Sequence, residues 1–417
     1  MSQRVSAASV AVFRIGFGVV GLILVIRFFA HGWIDTLLVE PEFHFKYPGF
    51  TWVGPLPSPW MHLVFVLLGV AAIAIAIGFR HRVAAVVFAL GLAYVELIDR
   101  TNFLNHYYWL VLTAALMAFL PMSRMWAVDA SRESTGWVPI WVVWLLRFQV
   151  GMVYFFAGLA KLNPDWLFRA EPLATWLPAR SEMWLIGPVL TIPATAFIMS
   201  WLGAIFDLTV VGWLIWRRTR LPAFVALVGF HTLTWLLFPS IGVFPLVMSL
   251  SALVFFDPDW PQRQRRIRSI LEPGTSRIRP SWVGLAAVYV LLMIAIPLRH
   301  FAIPGDVRLT AEGYHGSWHV MLTEKTGRVE FHVTDAAGGQ WTVASPNYLT
   351  DQQEHVMATD PALIQQTARA IAEDLGVTVR AEALISFNGR RSTLVIDEEV
   401  VATPSAWTWN EIPSDRP

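Results

Sequence analysis

Lys161 closes the apolar stretch in Tyr154-Phe155-Phe156-Ala157-Gly158-Leu159-Ala160-Lys161-Leu162-Asn163-Pro164-Asp165-Trp166 and is one of three lysines, with Lys46 and Lys325, against 28 arginines. A lone lysine near a helix end is ordinarily an anchor that snorkels to a membrane interface. Here arginine is the default cation, so a lysine kept where arginine would anchor equally well points to a proton that must leave. A desolvated ammonium can deprotonate, whereas a guanidinium stays charged. Lys161 is therefore the first candidate base. His106 follows, in Asp99-Arg100-Thr101-Asn102-Phe103-Leu104-Asn105-His106-Tyr107-Tyr108-Trp109. A lone histidine is more often a hydrogen-bonded structural residue, but with Asn105 beside it and Asp99 to orient it, His106 could position or relay a proton. His231, in Gly229-Phe230-His231-Thr232, lies deeper in its apolar run, and Arg147 with Gln149 lies two turns or more below Lys161, where they could hold an inner polar network. Ionisable groups inside a membrane cost several kcal/mol unless they face a cavity or a partner, which is why each is a candidate.

Other chemistries find little support. His315 and His319 are four residues apart with His332 following; the segment reads as strand, so this spacing does not make a helical ligand pair, and no metal is expected. No phosphate-cradling glycine loop, hydrolase nucleophile elbow or cysteine motif occurs. The basic run 263–268 reads as a cytoplasmic loop, and nucleic acid is not an expected partner.

These residues need a membrane to hold them. Of 417 residues 55% are hydrophobic and 15% charged, with 21 Trp and no Cys, whereas soluble domains carry about 25% charged residues. Charge is also uneven: residues 301–417 hold 8 Lys+Arg against 16 Asp+Glu, and residues 1–300 hold 23 against 14. The pattern predicts a transmembrane helical bundle over 1–300 and a water-facing domain over 301–417. Apolar runs at 10–30, 60–79, 83–98, 106–120, 139–160, 187–216, 221–238, 240–256 and 282–300 give about nine spans, the shorter ones being candidates for re-entrant or buried segments. The first run, carried by Arg4 before it and Arg14 within it and with no small-residue cleavage site after it, reads as a retained anchor.

Arginine placement sets the orientation. With the N-terminus in the cytoplasm, inner loops receive Arg80, Arg82, Arg124, Arg132, Arg217, Arg218, Arg220, Arg263, Arg265, Arg266 and Arg268, and the C-terminal domain falls outside. That domain is expected to be mixed and β-rich: strand-like runs at Val307–Thr310, His319–Thr323, Arg328–Thr334, Gln340–Ala344, Val377–Phe387 and Ser392–Ile396, a helix over Ala362–Leu375 stopped by Gly376, and a turn at Asn388-Gly389.

With these segments in place, the chain resembles the vitamin K-dependent gamma-glutamyl carboxylases and their bacterial relatives with a horizontally transferred transmembrane domain. The resemblance is collinear over nearly the whole chain: Gly54–Met61, Asp99–Tyr107, Leu146–Trp166, Phe230–Met248, Asp257–Pro261, Gly313–Met321 and Trp407. Its most specific part is Ala157–Trp166. The resemblance implies that Lys161 is the base that deprotonates a hydroquinone, that Asn105 and His106 are the active-site Asn-His pair, and that Tyr314, Trp318 and Met321 lie on a strand approaching the site and its substrate. Departures are Ala160 where the animal enzyme has a second lysine, His319 where it has an acid, the absence of its disulfide, and the absence of its long extension.

The implied activity is oxidation of reduced vitamin K or menaquinol by O2, coupled to carboxylation with CO2 of glutamate in an exported polypeptide. A glutamate γ-carbon is far too weak an acid for lysine itself, so the base must be made from quinol and oxygen, shielded from water. Expected partners are membrane lipid, quinone and a Glu-containing exported peptide, in a bacterial inner membrane. Two other readings stand beside this one: a quinol-dependent oxygenase or epoxidase without carboxylation, and a non-catalytic quinone- or lipid-binding membrane protein.

Overall fold

The computed structural model describes residues 3–130, 136–263 and 280–400; Arg132, Arg265, Arg266, Arg268 and Trp407 lie outside them. Helices run over Ala8–Ala30 (α1), Ser58–Ile77 (α2), His81–Ile98 (α3), Asn105–Phe119 (α4), Ile140–Ala160 (α5), Pro193–Ile215 (α6), Arg220–Leu237 (α7), Phe244–Ser251 (α8) and Pro280–Leu298 (α9). Among the described residues seven helices are long and apolar enough to cross a membrane: α1, α2, α3, α5, α6, α7 and the stretch Trp282–Ala302 that contains most of α9. The runs at 106–120 and 240–256 form shorter helices, so the expected nine spans are not confirmed by length and composition. The run at 106–120 forms the 15-residue α4. The run at 240–256 is broken, because Pro239 lacks an amide donor and Gly242 takes φ 67° before α8 begins. Irregular backbone at membrane depth must have its polar groups satisfied by protein. Arg147 does this, donating to the carbonyls of Val254, Phe255 and Phe256 at 3.0, 3.3 and 3.1 Å.

Small residues let the helices close on one another. A Cβ on Gly18 of α1 would lie 2.5 Å from the Ala72 carbonyl of α2, so the two backbones touch there. Fully buried Arg14 bonds the α2 carbonyls of Ile75 and Ala76, each at 2.8 Å. Its charge sits at the helix's negative end, where a cation is favoured.

The C-terminal region carries a four-stranded antiparallel sheet: Lys325–Thr334 (β3), Gln340–Val343 (β4), Thr378–Phe387 (β5) and Thr393–Val400 (β6), in the order β4-β3-β5-β6, while Arg4–Ser6 (β1) pairs Trp137–Pro139 (β2) in the bundle. Inward residues alternate along β5, with Val379, Ala381, Ala383 and Ile385 buried. They pack beneath the helix Pro361–Leu375 (α11), which follows the shorter Asp351–Met357 (α10). Asp360 caps the start of α11, accepting from Ala362 N at 2.9 Å, and Gly376 ends it at φ 65°. Phe45, from the loop between α1 and α2, is fully buried in this same core, so the sheet region is clamped to the bundle by a residue far away in sequence.

Two strand expectations fail here. Val307–Thr310 is one helical turn, capped by Asp306 and ended by Ala311 at φ 58°. Residues 319–323 form no strand, and the backbone around them reverses at Trp318 and Met321, φ 59° and 52°.

Candidate active site

A cavity of about 400 Å³ opens between α5, α6 and α7 and the broken segment after α7, roofed by Val320 and Met321. Its wall is almost wholly apolar, and Leu202, Ile205 and Trp213 are also exposed on the bundle's outer face. Lys161 enters it as the residue that ends α5. Its Nζ lies 2.8 Å from Asp207 Oδ2 of α6 and 3.3 Å from the Ala157 carbonyl, and 5.1 Å over the Trp166 ring. Both members of the pair are buried, 6% and 4% exposed. Such a pair is tolerated only because each charge answers the other.

Gly158 makes the pairing possible. A Cβ there would come within 2.9 Å of the Leu208 backbone nitrogen, so α5 and α6 approach at the turn that carries Lys161 and Asp207. Asp207 went unnoticed in the sequence, although it is the only ionisable residue in the run 187–216. The rule that singled out Lys161 applies to it equally. Glu96 of α3 escaped in the same way, and Arg14, read only as a charge carrying the first run, is fully buried within it.

Lower on the wall, the Tyr154 hydroxyl and His231 Nε2 are 2.7 Å apart, and the buried His231 Nδ1 has no partner. Lys161, His231 and Met321 thus line one cavity. His106 does not line it. Its ring packs on Tyr107 and on Phe244, with centroids 4.5 and 6.1 Å away, and Phe244 in turn packs on His231 at 5.7 Å. Asp99 does not orient His106, because its carboxylate accepts from Thr101 N and Oγ1 and from Gln353 Nε2 at 2.8, 2.7 and 2.7 Å. Arg147 is remote, about 21 Å along α5 from Lys161 at 1.5 Å per residue, and holds carbonyls of the broken segment.

The segment 313–321 covers this end of the bundle as a run of turns rather than a strand. Asn105 Nδ2 and the Tyr314 hydroxyl both donate to the His319 carbonyl, at 3.5 and 2.9 Å. Trp318, 1% exposed, packs on Tyr108 with centroids 5.4 Å apart. Burial pushes the Tyr314 hydroxyl up to about 12 and, with the His300 and Arg308 charges, pulls His319 down to about 4, so both are neutral near pH 7. Among the described residues no group of three His, Cys, Asp or Glu is placed to hold a metal.

One turn beyond Lys161, Asp165 ties the bundle to the sheet region. Its carboxylate accepts from Arg390 Nη2 at 2.6 Å and Asn388 Nδ2 at 3.1 Å, and Arg308 Nη1 lies 3.5 Å away. Burial works to raise the Asp165 carboxyl, but the Arg390 and Asn388 hydrogen bonds and the Arg390 and Arg308 charges hold it below its ordinary value.

A bundle of apolar helices with a buried Lys-Asp pair in an apolar cavity, closed by a segment leading to a four-stranded sheet, defines an integral membrane protein. Residues 2–260 match the family model of the HTTM domain, and residues 278–412 match that of the vitamin K-dependent gamma-carboxylase, lumenal domain. The chain belongs to the vitamin K-dependent gamma-carboxylase family. No solved structure is a significant match to it.

Proposed function

We propose that the chain is a gamma-glutamyl carboxylase that couples oxidation of a hydroquinone, vitamin K or menaquinol, by O2 to carboxylation with CO2 of glutamate side chains in an exported polypeptide. The observation that carries this reading is the Lys161–Asp207 pair, 2.8 Å apart and buried in an otherwise apolar cavity. A volume of about 400 Å³ falls in the range of small-ligand sites. The unpartnered His231 Nδ1 gives a hydroxyl-bearing ring a second polar anchor. The reduced quinone, when bound, supplies with oxygen the strong base that removes the glutamate γ-proton. In the resting pair Lys161 is the ammonium and Asp207 the carboxylate; passing that proton to Asp207 leaves a neutral Lys161 amine, which takes the proton of the quinol hydroxyl while the apolar wall excludes water.

Met321 roofs the cavity, with Tyr314, Trp318 and Asn105 bracing the segment that presents the peptide, and His106 stands behind Phe244 on the peptide side. In this reading residues 1–300 are the membrane domain and 301–417 an outer domain, with the N-terminus in the cytoplasm. The test is purified protein in nanodiscs given the quinol, oxygen and a Glu-containing peptide, with labelled CO2 incorporation and quinone epoxide followed in parallel. Both products are expected from the native chain, and both are expected to fall at least ~10²-fold in Lys161→Ala. Epoxide without incorporated label would reduce the activity to quinol oxygenation, and neither product would leave a binding role.

A further inference from the structure

The four-stranded sheet has an open edge. β3 pairs with β5 along its whole length, Lys325 to Thr334, but with β4 only over Phe331 to Thr334. Backbone groups along a strand point alternately to its two neighbours. The hydrogen bonds that frame β3 fix which residues face which: Asp335 N donates to the Gly339 carbonyl at 3.0 Å on the β4 side, and Asn388 N donates to the Glu324 carbonyl at 2.9 Å on the β5 side. Odd-numbered residues of β3 therefore face β4. Beyond the last pair, Phe331 with Val343, the chain leaves the sheet in the turn Ser345–Asn347. The N–H and C=O groups of Val329, Gly327 and Lys325 then point to where a strand is missing, and among the described residues nothing bonds them. Gly327, whose surface is all backbone, is exposed.

Sheet edges are ordinarily blunted by proline, by a bulge or by a covering loop. The open half of β3 has no proline, and its pairing with β5 runs without a register shift. It is held from its other side and from its inner face: a Cβ on Gly327 would lie 2.2 Å from the Ala358 carbonyl, and Lys325 Nζ donates to the Leu309 and Thr359 carbonyls at 2.9 and 3.4 Å. The edge is thus straight, rigid and ready to pair. It also starts beside the site. Lys325 follows Met321, which roofs the cavity, by four residues. Across from the start of β3, Asn388 bonds Asp165, one turn beyond Lys161.

We propose that the edge of β3 from Lys325 to Val329 is a strand-addition site for an extended segment of the polypeptide substrate, one end of which is led by the pairing to the cavity roof at Met321. Main-chain pairing of this kind selects a segment for its extended shape, and side chains at alternate positions add specificity. Three facing residues make a contact far smaller than the about 1,000 Å² that a stable interface between two copies needs, which suits a chain that must leave once it is modified. The proposal deepens the carboxylase reading and rests on it for the identity of the polypeptide; the edge itself rests on the hydrogen-bond parity of β3.

The test is equilibrium binding of a short Glu-containing peptide to the full chain in nanodiscs, without quinol, with the peptide also made in two series N-methylated at alternate residues away from the Glu. Strand addition uses every second amide of the added chain. Methylation of one series should therefore weaken binding on the order of tenfold or more, and methylation of the other should leave it nearly unchanged. The chain has no cysteine, so Thr326→Cys, at an exposed position beside the edge, supplies a single thiol. It should form disulfides with peptide cysteines at every second position and not with those between. Equal effects of the two methylated series, crosslinking without this period, or no saturable binding of the unmethylated peptide each overturns the proposal. Disulfide-linked dimers of Thr326→Cys in place of peptide crosslinks give the edge to a second copy and overturn it as well. A chain that binds with the expected period yet makes neither product fails the carboxylase reading and leaves the edge standing. A carboxylating chain that treats both series alike fails the edge alone.

Discussion

Lys161 is held by Asp207 at 2.8 Å with Trp166 beneath it, so its chemistry depends on a residue 46 positions away. Asp207→Asn keeps the shape of the partner but removes its charge. Breaking a buried ion pair in this way costs about 3–5 kcal/mol. We therefore expect Asp207→Asn to lower product formation by about 10²-fold or more with lesser effect on the quinol KM, and Asp207→Glu to recover part of it; equal rates for native and Asn forms would remove Asp207 from the mechanism. Lys161 was legible because lysine is rare in this chain. Asp207 is equally conspicuous as the only ionisable residue in the run 187–216, but no local motif pairs it with Lys161. Asp99 was misread for a different reason: adjacency to His106 in sequence says nothing of where its carboxylate points, and Gln353, from the far end of the chain, claims it.

The elements set this geometry through close backbone approach. Gly158 faces the Leu208 backbone at 2.9 Å from an added Cβ, so Gly158→Ala must push α5 and α6 apart. Alanine gains about 1 kcal/mol of helix propensity, against about 1–3 kcal/mol for overpacking. A small net loss of stability is expected, with a larger loss of activity because the shift falls on the Lys161–Asp207 turn; a variant with native melting and native turnover would show that the contact is slack. The long helices were readable from apolar runs alone. Where the sequence reading failed, a local hydrogen bond or a reversed backbone had overridden the pattern. Val307-Arg308-Leu309-Thr310 alternates like a strand, yet the Asp306 side chain accepts from Arg308 N at 2.9 Å and winds it into a turn. The next segment is broken by Trp318 and Met321 at positive φ, which residue types that ordinarily avoid this region do not announce.

At the scale of the whole molecule, the loops at 31–57, 99–104 and 161–192 all supply contacts to the sheet region: Phe45 in its core, Arg100 to Asp360 at 2.9 Å, and Asp165 to Arg390 at 2.6 Å. These loops therefore share one side of the bundle, in keeping with the arginine pattern. The chain has no cysteine, so single cysteines at Gly338 and Arg218 give a clean test. An impermeant maleimide added to intact cells should label the first and spare the second, and the reverse would invert the proposed orientation. How firmly the two parts are joined turns on Asp165, whose carboxyl is held below its ordinary value after burial is outweighed by the Arg390, Asn388 and Arg308 contacts. A carboxyl lowered in the folded state contributes stability that is complete above its unfolded value, about pH 4, and lost as pH falls through the lower folded value. Asp165→Asn should then weaken the junction by about 2–3 kcal/mol at pH 7, since it leaves two part-buried guanidinium groups short of a counter-charge. Hydrogen exchange of β5 and of the 161–169 turn should quicken together in the variant. The difference from the native chain should shrink only below about pH 4, where protonation of Asp165 does to the native protein what the substitution does at every pH. A difference that persisted unchanged into that acid range would mean that the carboxylate's charge is not what holds the junction.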